Sequence, residues 1–69
     1  MFSDWLDSKI RELGLSERAV ANAVGVTQQS VNRWRNGMSR PGGARIGRLA
    51  YVLGVTSDDV ILRTLTLPG

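Results

Sequence analysis

Three places along the chain read glycine, then an apolar residue, then a hydroxyl residue: Gly14-Leu15-Ser16, Gly25-Val26-Thr27 and Gly54-Val55-Thr56. Each triplet marks a helix boundary in both directions. The glycine takes the left-handed backbone that closes one helix, the apolar residue folds back onto it, and the hydroxyl caps the N-terminus of the next. Asn36-Gly37 supplies a fourth stop, and the stretch from Met38 to Gly43, with Pro41 and Gly42-Gly43, reads as a loop. A chain of 69 residues cut in this way has room only for short helices.

Between the stops the apolar residues fall at helical spacing. Leu6, Ile10 and Leu13, with Phe2 a turn earlier, stripe a first helix from about Ser3 to Leu13. Val20, Ala21 and Val24 do the same on a second, Val31 and Trp34 on a third from about Gln28 to Asn36, and Ile46, Leu49, Ala50 and Leu53 on a fourth. Thr56-Ser57-Asp58-Asp59 resembles a capping box, with Asp for the usual Glu, and opens a fifth helix expected to bury Val60 and Ile61. The expected fold is all-α, five short helices around one core, in a single domain spanning residues 1–69. Trp34 belongs to the core stripe, whereas Trp5 lies off its helix's apolar line and is expected half exposed, at a subunit contact. The triplets differ in spacing and sequence context, so no internal repeat is read from them. Thr64-Leu65-Thr66-Leu67 alternates with the period of two that suits a short strand, one able to pair between subunits.

Composition narrows the function. Histidine and cysteine are both absent, which removes the commonest general base, the usual metal ligands and a major nucleophile. Neither an enzyme nor a metal or cofactor site is expected, nor a small-molecule substrate. Asp58-Asp59 is better explained by helix capping than as a catalytic acid pair, and Gly42-Gly43 lacks the Lys-Ser/Thr of a phosphate-binding loop. No apolar run approaches the ~20 residues needed to span a bilayer, so no membrane partner is expected and the location expected is cytoplasmic, at the nucleoid. The net charge of +3 is unevenly spread: Arg18, Arg33, Arg35, Arg40, Arg45 and Arg48 fill a middle stretch without a single acid, and the carboxylates lie toward the two ends. A segregated positive middle suits a polyanion such as a phosphate backbone; a solvated basic face is the competing reading.

The second and third helices decide between them. Ala21, Gly25 and Val31 are spaced A-x3-G-x5-V, with Val20, Val24, Val26 and Trp34 around them. A small residue where two helices approach, glycine at the corner and a branched residue locking the second helix onto the first make a helix-turn-helix. Residues 16–37, and more loosely the whole chain, resemble the lambda repressor-like, or XRE, DNA-binding domain of lambdoid phage repressors and Cro proteins; TQQSVNRWRNG is similar to a recognition helix of that group, and Arg40-Pro41 follows at nearly the same distance. The resemblance implies a five-helix lambda repressor-like bundle, sequence-specific binding of double-stranded DNA, regulation of transcription, and a homodimer on a pseudo-palindromic operator with half-sites about 34 Å apart.

With Val31 and Trp34 facing the core, Gln29, Asn32, Arg33 and Asn36 point outward and Gln28 occupies the first exposed turn. Glutamine amides match adenine N6/N7, and an arginine fork matches guanine O6/N7. Geometry and resemblance together make Gln28, Gln29, Asn32 and Arg33 the expected base readers. Thr27, Arg18, Arg35, Asn36, Arg40 and Arg45 are the expected contacts to the DNA backbone, Thr27 being also the helix cap. Two positions depart from the family. Glu17 stands where relatives often carry a glutamine that donates to phosphate, so that contact is not carried over. Ile10 and Arg35 stand where relatives often pair a helix 1 arginine with a helix 3 glutamate, so an ion pair between those helices is expected to be absent. The alternative function is an antitoxin, or another protein-interaction module of a toxin-antitoxin pair, to which Leu62, Leu65 and Leu67 would lend an apolar face; a third reading is a helical domain that has lost DNA binding.

Overall fold

The computed structural model describes residues 2–65, along which α1 (Phe2–Glu12), α2 (Glu17–Val24), α3 (Gln28–Arg35), α4 (Gly43–Leu53) and α5 (Ser57–Thr64) follow one another. No strand occurs among the described residues, and the all-α, five-helix architecture expected from the sequence is the one observed. No helix there is long and apolar enough to cross a membrane.

All three triplets build one and the same joint. The glycine ends its helix in the left-handed region, with φ +85° at Gly25. The apolar residue's N–H then reaches back five residues, Leu15 to the Ile10 carbonyl, Val26 to that of Ala21 and Val55 to that of Ala50, each at 3.0 Å. The hydroxyl oxygens of Ser16, Thr27 and Thr56 accept from the N–H three residues on, at 3.0, 3.1 and 3.2 Å. Four residues past each cap stands a valine with no exposed surface, Val20, Val31 and Val60. Leu15, Val26 and Val55, one residue before each cap, pack against the core those valines belong to. Each joint is therefore a left-handed helix stop fused to a hydrophobic staple, which fixes the angle at which the next helix leaves. The contexts expected to differ share the pattern glycine, apolar, hydroxyl, three variable residues, valine.

The staples feed one core. Phe2, Leu6 and Ile10 of α1 meet Val20, Ala21 and Val24 of α2, Val31 and Trp34 of α3, Leu49, Ala50 and Leu53 of α4, and Val60 of α5. Helix α2 packs on α3 and α4, α4 on α5, and α1 on α3 and α5. Packed on α2 and α1, α3 keeps one long side open.

Several expectations are corrected at the edges. Leu13 is 46% exposed, because α1 closes at Glu12 and the turn carries the next side chain off the helical stripe. On α5 the residue buried with Val60 is Thr64, one turn on, while Ile61 is exposed; the Thr64 hydroxyl donates to the Ile61 carbonyl at 2.8 Å and so tolerates burial. Only half of the expected capping box forms among the described residues: Thr56 caps the Asp59 N–H, but the aspartate, a methylene shorter than glutamate, makes no return bond. Trp5 is half-buried as expected, but its cover lies within the chain, the Arg63 guanidinium 5.1 Å from the ring centroid. Thr64 is helical and Leu65 caps α5, so no strand begins there; Thr66 and Leu67 lie outside the described residues.

Candidate nucleic-acid interface

Helix α3 divides lengthwise into three stripes. Val31 and Trp34 face the core. Gln28, Asn32 and Arg35, spaced i, i+4 and i+7, form a second stripe turned toward the start of α2. Gln29, Arg33 and Asn36 form a third, directed to solvent.

The second stripe is tied down by carboxylates. Glu17, in the first turn of α2, accepts from Gln28 Nε2 at 3.5 Å on one oxygen, and from Asn32 Nδ2 and Arg35 Nη1, both at 3.1 Å, on the other. Arg35 Nε donates to Asp7 Oδ1 of α1 at 2.8 Å, and Arg11 Nε donates to the other oxygen of Asp7, also at 2.8 Å. Asn32 is held at both ends, since its Oδ1 accepts from Asn36 Nδ2 at 3.1 Å. Arg35 is thus neither solvated nor free for phosphate. The expected absence of an α1–α3 ion pair is corrected as well: the pair forms with its polarity exchanged, acid on α1 and base on α3. Asp7 lies one turn before buried Ile10 on the same helix, and from there its carboxylate meets Arg35.

Arg35 first, and Arg11 second, hold the Asp7 carboxyl below the usual aspartate range by hydrogen bonding. A depressed folded-state value means stability that is present above the unfolded pKa, about 3.9, and is lost as pH falls through the folded one. Asp7→Asn should therefore flatten the acid limb of a plot of urea midpoint against pH, and an unaltered limb would show that the pair contributes nothing.

The outward stripe differs. Gln29 and Arg33 make no side-chain hydrogen bond among the described residues, and Arg18, Arg45 and Arg48 have no carboxylate partner there. Arg45 and Arg48 converge: their Nη1 atoms lie 3.6 and 4.0 Å from the point where a Cβ on Gly25 would stand. Two guanidinium groups therefore flank the turn between α2 and α3. The remaining expected backbone contacts have other employment. Thr27 Oγ1 caps α3 and sits 3.0 Å from the Ser30 hydroxyl. Asn36 bonds back to Asn32, and Arg40 Nη1 donates to the Thr64 carbonyl at 2.8 Å, where its charge meets the negative end of α5.

A helix-turn-helix family model matches residues 8–60, which takes in α2, the Gly25 turn, α3 and α4 whole. The chain belongs to the helix-turn-helix family. Comparison with curated proteins and with solved structures returned no match. As a member of the XRE type, this helix-turn-helix protein is a sequence-specific DNA-binding regulator of transcription. Two residues of its interface escaped the sequence reading. From the residues alone Glu17 marks a family phosphate contact that is not carried over, and Asp7 has no role. The signal that would have found them is the i, i+4, i+7 stripe of donors Gln28, Asn32 and Arg35, which needs an acceptor on whichever helix it faces.

Proposed function

We propose that this protein represses transcription in the manner of a phage repressor or Cro protein, with α3 lying in the major groove and Gln28, Gln29 and Arg33 reading base edges. The observation that carries the reading is the outward stripe of α3, where Gln29 and Arg33 keep their hydrogen-bonding ends unspent, while Asn32 and Arg35 of the neighbouring stripe are consumed within the fold and Gln28 gives only one N–H to Glu17, at 3.5 Å. Asn32, engaged at both ends, serves the reading surface as a strut. Arg18, Arg45 and Arg48 are the cations left to meet phosphates, and the N-terminal half of α3, where Gln28 and Gln29 sit, is the part a groove admits first.

Selection of a preferred duplex from a random pool, followed by anisotropy titrations, tests this. Arg33→Ala should weaken the preferred site by about 1 to 3 kcal/mol and leave random duplex nearly unaffected. Equal losses on both would remove Arg33 from base reading. Arg45→Ala should weaken every sequence alike and lower the salt slope by about one. For assembly, Ile61, Leu62 and Leu65 expose an apolar face on α5, which supports a homodimer on a pseudo-palindromic operator. A sedimentation run at micromolar concentration that finds only monomer, on and off DNA, would overturn it.

A further inference from the structure

Helix α4 carries an outer stripe that the core does not use. Ala44, Gly47, Arg48 and Tyr51, spaced i, i+3, i+4 and i+7, lie exposed along it. The last three of these, with Ala23 of α2, line an open depression of about 310 Å³. A Cβ placed on Gly47 would meet nothing within 4 Å, so the floor has room for a visiting side chain. Tyr51 stands at the rim, 88% exposed, and makes no hydrogen bond or ring contact among the described residues.

The charge beside this depression is of one sign. Arg48 and Arg45, one turn before it, bring their Nη1 atoms together at the Gly25 corner, and neither has a carboxylate partner among the described residues. No acid occurs anywhere from Arg18 to Ser57, so neither α4 nor the second half of α2 can supply one. Like charges held close repel, and an anion from outside relieves that repulsion. Duplex phosphates are one source. They use the cations, but a sugar-phosphate backbone gains nothing from a floor of Ala23 and Gly47, which has no polar side chain to offer. Arginine and tyrosine around a desolvated apolar pocket are instead the composition of a protein–protein hot spot. An apolar side chain fits the floor against the Tyr51 ring, and flanking carboxylates meet the guanidinium groups.

We infer that the face shared by α2 and α4 docks an acidic segment of a partner protein, with an apolar side chain seated between Ala23, Gly47 and Tyr51 and carboxylates on Arg45 and Arg48. The same two arginines meet duplex phosphates in the function proposed above. The acidic segment and DNA therefore exclude one another, and the partner relieves repression. That exclusion rests on the proposed DNA reading, whereas the docking does not.

The test uses the whole chain and two synthetic peptides of glutamate and alanine, alike in length and charge, one with a central phenylalanine and the other with serine in its place. The phenylalanine peptide should bind about tenfold tighter by anisotropy. Tyr51→Ala, at a site too exposed to disturb the core, should erase that margin and leave affinity for random duplex unchanged. Arg48→Ala should weaken both peptides and the duplex. In competition, the phenylalanine peptide should displace labelled duplex at a lower concentration than the serine peptide does. Equal binding of the two peptides, or a margin that survives Tyr51→Ala, overturns the docking surface. So does a loss of duplex affinity in Tyr51→Ala as large as the loss of peptide affinity, which would make Tyr51 part of the DNA interface. A complex holding peptide and duplex together overturns the exclusion. If Gln29→Ala and Arg33→Ala alter no base preference, the DNA reading fails, and the peptide margin, measured without DNA, still decides the docking surface.

Discussion

The connections on either side of α3 begin alike and end differently. Gly25-Val26-Thr27 precedes the helix, and Gly37-Met38-Ser39 follows it with the same three residue types. Both glycines are left-handed, φ +85° and +73°, and both apolar residues send their N–H back five residues, Val26 to Ala21 O at 3.0 Å and Met38 to Arg33 O at 2.9 Å. There the likeness stops. Thr27 caps a helix that starts at once, whereas no helix starts until Gly43; Val26 packs on the core, whereas Met38 is 77% exposed. The difference lies downstream: four residues beyond Thr27 is buried Val31, and four beyond Ser39 is Gly43, which has no side chain to staple. Pro41 and Gly42 in between are poor helix formers too. A helix stop is thus a local matter, but a helix start in this protein needs an apolar anchor one turn in.

That contrast breaks most easily at the anchor. Val31→Ala should cost about 2 kcal/mol in urea unfolding, since it empties a fully buried site, whereas Met38→Ala should stay within about 0.5 kcal/mol. Comparable losses would show that the two joints are held by something other than the staple. Next in size, Gly25→Ala and Gly37→Ala should each cost about 1 kcal/mol, because both positions are left-handed whatever follows them; a large difference between the two would mean that the stop depends on what comes after. Thr27→Ala should cost about 1 kcal/mol, and Ser39→Ala should fall below about 0.5 kcal/mol for want of a helix to cap. The smallest effect sharpens the comparison from the other side. Gly42, the N-cap of α4, has extended backbone, room for a Cβ and no side-chain bond to give, so Gly42→Ser should gain a few tenths of a kcal/mol. A loss would show that the loop, not the cap, holds that end of α4.

The same contrast explains what could be read from residues alone. Helix ends were legible because glycine, hydroxyl and apolar residues act on neighbours within five positions, and the outward set Gln29 and Arg33 was legible because a helix of known period has only one side left once Val31 and Trp34 are buried. Leu13 lies just past the end of α1, where the wheel ceases to apply, and Ile61 lies one position off a stripe that continues from Val60 to Thr64. The interface was harder. Asn32 and Arg35 look like surface polar residues in any helical projection, and only the approach of α1 and α2 turns them inward to Glu17 and Asp7.

Residue order by itself settled where each helix of this protein stops and restarts, and which long side of α3 stays polar, because those are short-range consequences of backbone strain, capping and periodicity. Which of the polar groups remain available to a duplex was decided by tertiary structure alone. Arg35 meets Asp7 and Glu17 across 28 and 18 positions of chain, and Coulomb attraction and hydrogen bonding act over a few ångströms of space, a distance that only the packing of three helices sets.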